Sequence, residues 1–457
     1  MNAVITNLLL AVSTAAAASI LSLSNGAVKI DLAISDEHMY YLQGLALGTP
    51  PQSISNIIID SGSSDLMIVE SIYNASASTT FVNTNQSYLM RYGFDDPFSV
   101  YQVSDNIESS DFTLTNLTMG YALTSDIQSF SGVLGIGFRA EELFGTNYPN
   151  FPYLLQEQGV TESVLYSFDG RDDNSAIIFG GLSTNIIDGP LVKIPFVQAI
   201  LFSGPVNEWI IPAFTVNEVK LDDVIISNQN TIYQIDSGTN GFLPPTPVLN
   251  NLLALLGTDY FEDDDGNAYY DIKDIEGRQL MFNVQGYEIG FALTDIIGET
   301  VEQNGTTYAV LNLASYNIGY DSYDAVLPNL IFKYYYGVFD YDNYQVYFGK
   351  YKQGAGAGNV VAVDNGDNLP YSTVDAPDPS NTYSVIYVAE GETTIAASST
   401  KESSSEASAT SADSATSDET TSATSDETTA TSDAAISNSS TLPTPTTTNS
   451  PKRCYKA

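Results

Sequence analysis

The chain is nearly devoid of histidine, cysteine, tryptophan and positive charge. Its 457 residues include one His (His38), one Cys (Cys454) and one Trp. A Ser/His/Asp or Cys/His enzyme would have to be built on His38 alone. One Cys and one His assemble no internal disulfide, zinc cluster or thiol active site. Lys and Arg number 15 against 55 Asp and Glu, a formal charge of −40. That acidity argues against nucleic acid and against anionic membrane surfaces as partners. No apolar run suggests a membrane span. The N-terminal one, Leu8 to Val12 and then Ala15 to Ala18, is too short to cross a bilayer. With small residues following it, residues 1–18 read as a secretory signal peptide.

What is present is a large apolar supply, 43% hydrophobic and 11% aromatic. It is enough for a substantial core in two or three domains. Composition changes near Gly354, where Gly-Ala-Gly-Ala-Gly at 354–358 reads as a flexible joint. After Ala396 the chain is mostly Ser, Thr, Ala and acids, and Ala-Thr-Ser-Asp-Glu-Thr-Thr occurs at 415–421 and 423–429. Residues 353–457 are therefore expected to be a disordered tail, O-glycosylated if exported. No hydrophobic stretch follows, so the usual lipid-anchor signal is not expected. N-glycosylation sequons begin at Asn74, Asn85, Asn116, Asn304 and Asn438. The tail from residue 354 carries −10, which leaves −30 on residues 1–353. Such a body repels itself at neutral pH and is relieved near the sequence pI of about 4.1, which fits work in acid.

Between Tyr40 and Lys352 the pattern is mainly β. Short β-branched and aromatic runs, such as Ser175–Phe179 and Tyr344–Phe348, alternate with Gly, Asn, Asp and Pro turns. The clearest helix is expected over Val248 to Leu256, with Thr246 as N-cap, Pro247 at the first position and Gly257 as stop.

Two segments carry chemistry: Ile57-Ile-Ile-Asp60-Ser61-Gly62-Ser63-Ser64 and Tyr233-Gln-Ile-Asp236-Ser237-Gly238-Thr239-Asn240. Each sets Asp-Ser-Gly-Ser/Thr directly after an apolar strand. At this Ser and Thr content roughly 0.1 chance copies per chain are expected, so a pair is a strong signal. A strand ending in a tight Gly turn presents its carboxylate at the loop tip. Flanking hydroxyls can fix the carboxylate's direction. Two such loops meeting tip to tip would bring two carboxylates within about 3 Å, where they share one proton. The ionised member can then activate a water while the protonated one donates to a carbonyl, giving amide hydrolysis without a covalent intermediate. This chemistry needs no cofactor and no metal.

On these residues the chain resembles the pepsin-like aspartic proteases, of the secreted fungal and yeast kind that includes yapsin, barrierpepsin and the Candida-type enzymes. The resemblance runs from Tyr40 to Lys352. It includes Leu47-Gly-Thr-Pro-Pro-Gln52, the first Asp loop, Tyr92-Gly93, Gly132-Val-Leu-Gly135, Ile178-Phe-Gly-Gly-Leu182 and Tyr335-Tyr-Gly-Val-Phe-Asp-Tyr-Asp342. It implies a bilobal fold with pseudo-twofold lobes at 40–195 and 196–352, after a short leader or prosegment at 19–39. It implies Asp60 and Asp236 as the catalytic pair, supported by Ser61, Ser63, Ser237 and Thr239. It implies that Gly62, Gly238, Asn240 and a flap carrying Tyr92 and Gly93 bind an extended peptide or protein substrate. A secreted, extracellular or wall-associated monomer is expected.

The departures are specific. Met67 stands where the family has Trp. The stretch between Asp60 and Tyr92 is short, and the family disulfides are absent. Val326-Leu-Pro328-Asn329 has Pro where a bracing Gly is expected, and Pro lacks the N–H. A catalytically weak or silent pepsin-like binding protein on a glycosylated stalk is the alternative; a wall glycoprotein is a second. Asp263-Asp-Asp-Gly-Asn267 reads as an exposed hairpin rather than a calcium loop, and Tyr334–Tyr336 as sheet core and edge.

Overall fold

The computed structural model describes residues 22–378, apart from 24–25, 93–96, 111, 124–130, 145–147, 198, 201–206, 209–210, 258–259, 264–266, 317–323 and 365–367. The expected signal peptide, Gly93, Asn438, Cys454 and the tail beyond 378 lie outside the described residues. Within them the protein is mainly β, in the bilobal pattern of the pepsin-like enzymes.

Both halves of the chain build one antiparallel platform. Ala27–Ile34 pairs with Ala176–Phe179, which pairs with Leu165–Asp169. That strand pairs with Tyr335–Asp340, then Gln345–Tyr351, then Ile187–Pro195. Four of these six strands come from the first half, and the two from the far end of the second half lie between Leu165–Asp169 and Ile187–Pro195. Alternation explains the inward face: along Ala27–Ile34, Val28, Ile30 and Leu32 are buried, while Lys29 and Asp31 between them form an ion pair at 2.7 Å. Aromatic stacking fastens the halves, as where Tyr166 lies over Phe339 with centroids 4.7 Å apart.

Strand pairing extends beyond residues 40–352 at both ends. Residues 27–34, read as leader, are an interior strand paired along both edges, with Ala176–Phe179 and with Tyr40–Leu42. Their period-two pattern is that of a strand with one face buried. At the other end the body runs past residue 353. Asn359–Ala362 pairs with Gly181–Thr184, and Thr373–Asp375 runs parallel to Leu191–Lys193. Val363 and Ala376 are buried. The Gly-rich joint is itself held, because Arg171 donates to the carbonyls of Ala355 at 2.7 Å and Gly356 at 3.0 Å.

The expected helix spans Thr246–Leu256, followed by Gly257 at φ 95°. Its cap is Pro245 rather than Thr246, whose hydroxyl bonds to Ser315 instead. Asp263 closes a hairpin between Tyr260–Glu262 and Ala268–Asp271 by accepting from the Asn267 backbone and side chain, both at 2.8 Å. Tyr335 and Tyr336 are buried in the platform.

Candidate active site

The strand Ile57–Asp60 is buried at every residue, as is Thr231–Asp236. A second strand crosses behind each. Gly132–Gly135 runs parallel to Ile57–Asp60, and Ala325–Pro328 runs parallel to Tyr233–Asp236. Hydrophobic residues fill these strands, so each Asp is delivered at the point where the chain leaves an apolar core.

The two loops then meet with near twofold symmetry. Ser61 N–H donates to Ser237 Oγ, and Ser237 N–H donates to Ser61 Oγ, both at 2.9 Å. Each hydroxyl donates onward across the junction, Ser61 to Ile235 O and Ser237 to Ile59 O, again at 2.9 Å. A serine supplies this bridge fully, because only the hydroxyl is used. The carboxylates are fixed in matching ways. Asp60 Oδ1 accepts from Gly62 N–H at 2.8 Å and its Oδ2 from Ser63 Oγ at 2.5 Å. Asp236 Oδ1 accepts from Gly238 N–H at 2.7 Å and its Oδ2 from Thr239 Oγ1 at 2.7 Å.

The glycines are there because the opposite carboxyl leaves no room. A Cβ on Gly62 would sit 2.6 Å from Asp236 Cγ, and one on Gly238 would sit 2.6 Å from Asp60 Oδ1. Asp60 and Asp236 are 2% and 3% exposed. Burial pushes the Asp236 carboxyl well above its usual range, and the Asp60 charge and a hydrogen bond with Asp60 push it the same way. The geometry therefore sets two buried carboxyl groups side by side, joined by a hydrogen bond.

Tyr92 follows the hairpin strand Val82–Met90, which pairs with Phe98–Glu108. Its ring is buried in a cluster with Met67, Val100 and Phe98, the last at a centroid distance of 6.1 Å. Met67 thus belongs to the same buried apolar cluster as Tyr92. Asn240 lines a cleft of about 720 Å³ on the second-lobe side, with Glu37, Asp263, Glu299, Asn312 and Leu313. The four described sequon asparagines, Asn74, Asn85, Asn116 and Asn304, are exposed.

Two contributors had gone unassigned. Gln234, 2% exposed, donates to Gly62 O at 3.3 Å and so reaches the opposite loop. A polar residue in an otherwise apolar strand, where the first copy has Ile58, was the available signal. Asn329, following the anomalous Pro328, contacts the second loop directly.

The eukaryotic aspartyl protease family matches residues 40–351. Yapsin-3 of Saccharomyces cerevisiae is 24% identical over 409 residues, covering 79% of this chain and 75% of its own. Secreted aspartic protease 4 of Candida albicans is 24% identical, covering 74% and 81%. The probable vacuolar protease A of Trichophyton verrucosum is also 24% identical, covering 48% and 56%. With the family spanning most of the chain and both Asp-Ser-Gly loops joined at its centre, the chain belongs to the eukaryotic aspartyl proteases and is an aspartic-type endopeptidase.

Proposed function

We propose that this endopeptidase is exported and works in acid, with Asp60 and Asp236 as its catalytic residues. The observation that carries the reading is the paired loop junction, in which each carboxylate is held by its own glycine N–H and hydroxyl and pressed against the other loop's glycine. One proton is held on the pair and belongs to both members, because each carboxyl borders the other loop's glycine.

An extended peptide enters between the lobes, beneath the hairpin that carries Tyr92. The ionised carboxylate takes a proton from water, whose oxygen attacks the scissile carbonyl carbon. The protonated carboxyl gives its proton to the carbonyl oxygen. The C–N bond of the resulting gem-diol breaks as the nitrogen is protonated, and the pair regains its single proton. Gly62, Gly238 and Asn240 border the peptide. The signal-like N-terminus and the four exposed sequons support export, with glycosylation at the surface. The printed names of the relatives include both secreted and vacuolar enzymes.

The test is hydrolysis of an unfolded protein between pH 3 and 7 by the processed protein, beside Asp236→Asn and a pepstatin-type inhibitor arm. Cleavage should be strongest in acid and fall by at least about 10³-fold in the variant. Folded protein without cleavage at any pH would move the assignment to a silent peptide-binding protein.

A further inference from the structure

The strands behind the two Asp loops are not equivalent. Behind Asp60, Gly135 donates its N–H to Asp65 O at 2.9 Å, and Ile136 and Gly137 donate to Asp60 O and Ser63 O at 2.8 and 2.7 Å. Gly135 is wedged so closely that a Cβ would lie 2.4 Å from Asp65 N. Behind Asp236 the residue in the same register is Pro328, which has no N–H to give.

The next residue takes over. Asn329 is fully buried, and its N–H donates to Thr239 O at 2.8 Å. Its Nδ2 donates to His38 O at 2.8 Å and lies 3.5 Å from Ser237 O. Both neighbours are carbonyl oxygens, so the amide orientation is settled, because the flipped form would set Oδ1 against two acceptors. Among the described residues no donor reaches Oδ1. A buried acceptor without a donor is costly, and an apolar side chain of similar size would avoid that cost. What the amide supplies instead is a tie between three segments. His38 belongs to the first-lobe turn between Ile34 and Tyr40, and Asn240 donates to the carbonyl of Glu37 in that turn at 3.1 Å. Two second-lobe asparagines thus hold successive carbonyls of one first-lobe turn.

We propose that Asn329 is a positioning residue for the hydrolysis described above, replacing the brace lost at Pro328 by tying the Asp236 loop to the His38 turn. The assignment rests on the proteolytic reading. The charged groups around it are the Asp60–Asp236 pair on the loop side, and His38 with Lys333 on the turn side. Lys333 Nζ lies 3.3 Å from His38 Nε2 and 2.9 Å from Asp295.

The experiment compares Asn329→Ala and Asn329→Asp with the parent from pH 3 to 7, with active sites counted by a tight pepstatin-type inhibitor. Asn329→Ala should lose about 10²-fold in kcat with KM within about threefold, as expected for misplacement of a reacting group. Asn329→Asp should keep most of its activity where the new carboxyl is protonated and can donate to His38 O. It should lose activity at a lower pH than the parent does, as a carboxylate forms against two carbonyls. A residue that only fills space would not give that acid rescue. Should the alanine variant fail to fold, the isosteric aspartate variant decides. An aspartate profile superimposable on the parent's, a folded alanine variant within twofold of the parent in kcat, or failure of both variants to fold would each overturn the assignment. A parent that never cleaves would sink the proteolytic reading and this assignment with it, whereas an active parent with unaltered variants sinks this assignment alone.

Discussion

Glu142 is a buried carboxyl with an unusual neighbour. Its Oε2 accepts from Tyr148 N–H at 3.1 Å, while Asp65 accepts from Leu143 N–H at 2.8 Å and from the Tyr148 hydroxyl. Two carboxyl groups therefore hold Leu143 and Tyr148. Burial raises the Glu142 carboxyl to about 8, with the Asp65 charge adding and the Tyr148 N–H and Arg139 offsetting in part. The unfolded group titrates near its ordinary 4.5. Folding thus favours the neutral acid, and this support is complete below about pH 4.5 and withdrawn as pH climbs through about 8. Glu142→Gln keeps an acceptor for Tyr148 and cannot ionise. It should raise Tm at pH 7 by a few degrees and leave Tm at pH 4 nearly unchanged. Thermal unfolding at the two pH values checks this, and an equal shift at both would count against a titrating Glu142. Residue choices at the dyad are legible in the sequence, since Asp, Ser and Gly each have one evident task there. Glu142 is not legible, because nothing around it in the chain announces burial beside Asp65.

At the scale of elements, the duplicated motif foretells two strand-and-loop units, and the β patterning foretells most of what surrounds them. What escapes is whatever depends on a distant partner. Ala27–Ile34 is interior only because residues 176–179 lie beside it. Residues 354–378 look like linker because they open on the Gly-Ala-Gly-Ala-Gly run at 354–358, yet they contribute two strands. Thr246 has the right chemistry for a helix cap, but a tertiary contact with Ser315 claims its hydroxyl. The C-terminal strands yield a direct prediction. Truncation after residue 352 should destabilise the fold by about 2 kcal/mol or more, since it uncovers apolar side chains around Val363 and Ala376 and frees the Arg171 contacts. Truncation after residue 380 should leave Tm within about 2 °C of the full chain. Denaturation of the two truncated forms decides it, and equal stability would show that these strands contribute little.

For the whole molecule, charge is the dominant property. The cleft beside Asn240 is lined by Glu37, Asp263 and Glu299, and no Lys or Arg is among its described lining residues. At pH 5 exposed carboxylates are ionised, so a substrate bearing Lys near the scissile bond meets an attractive field. Of two peptides differing only in Lys or Glu at flanking positions, the Lys peptide should show a KM about fivefold lower at low salt. The gap should narrow at about 0.5 M salt, where the Debye length falls to a few ångströms. Equal KM values at both salt concentrations would place recognition in apolar contacts.

The shared platform also sets a timetable. Leu165–Asp169 has Tyr335–Asp340 as its neighbour, a partner made roughly 170 residues later. On a ribosome adding about 5–20 residues per second, the first half waits about ten seconds or more with that edge open. The Asp60–Asp236 pair straddles both halves and cannot form until more than half the chain is made, so a chain released before residue 236 holds one aspartate loop and no pair.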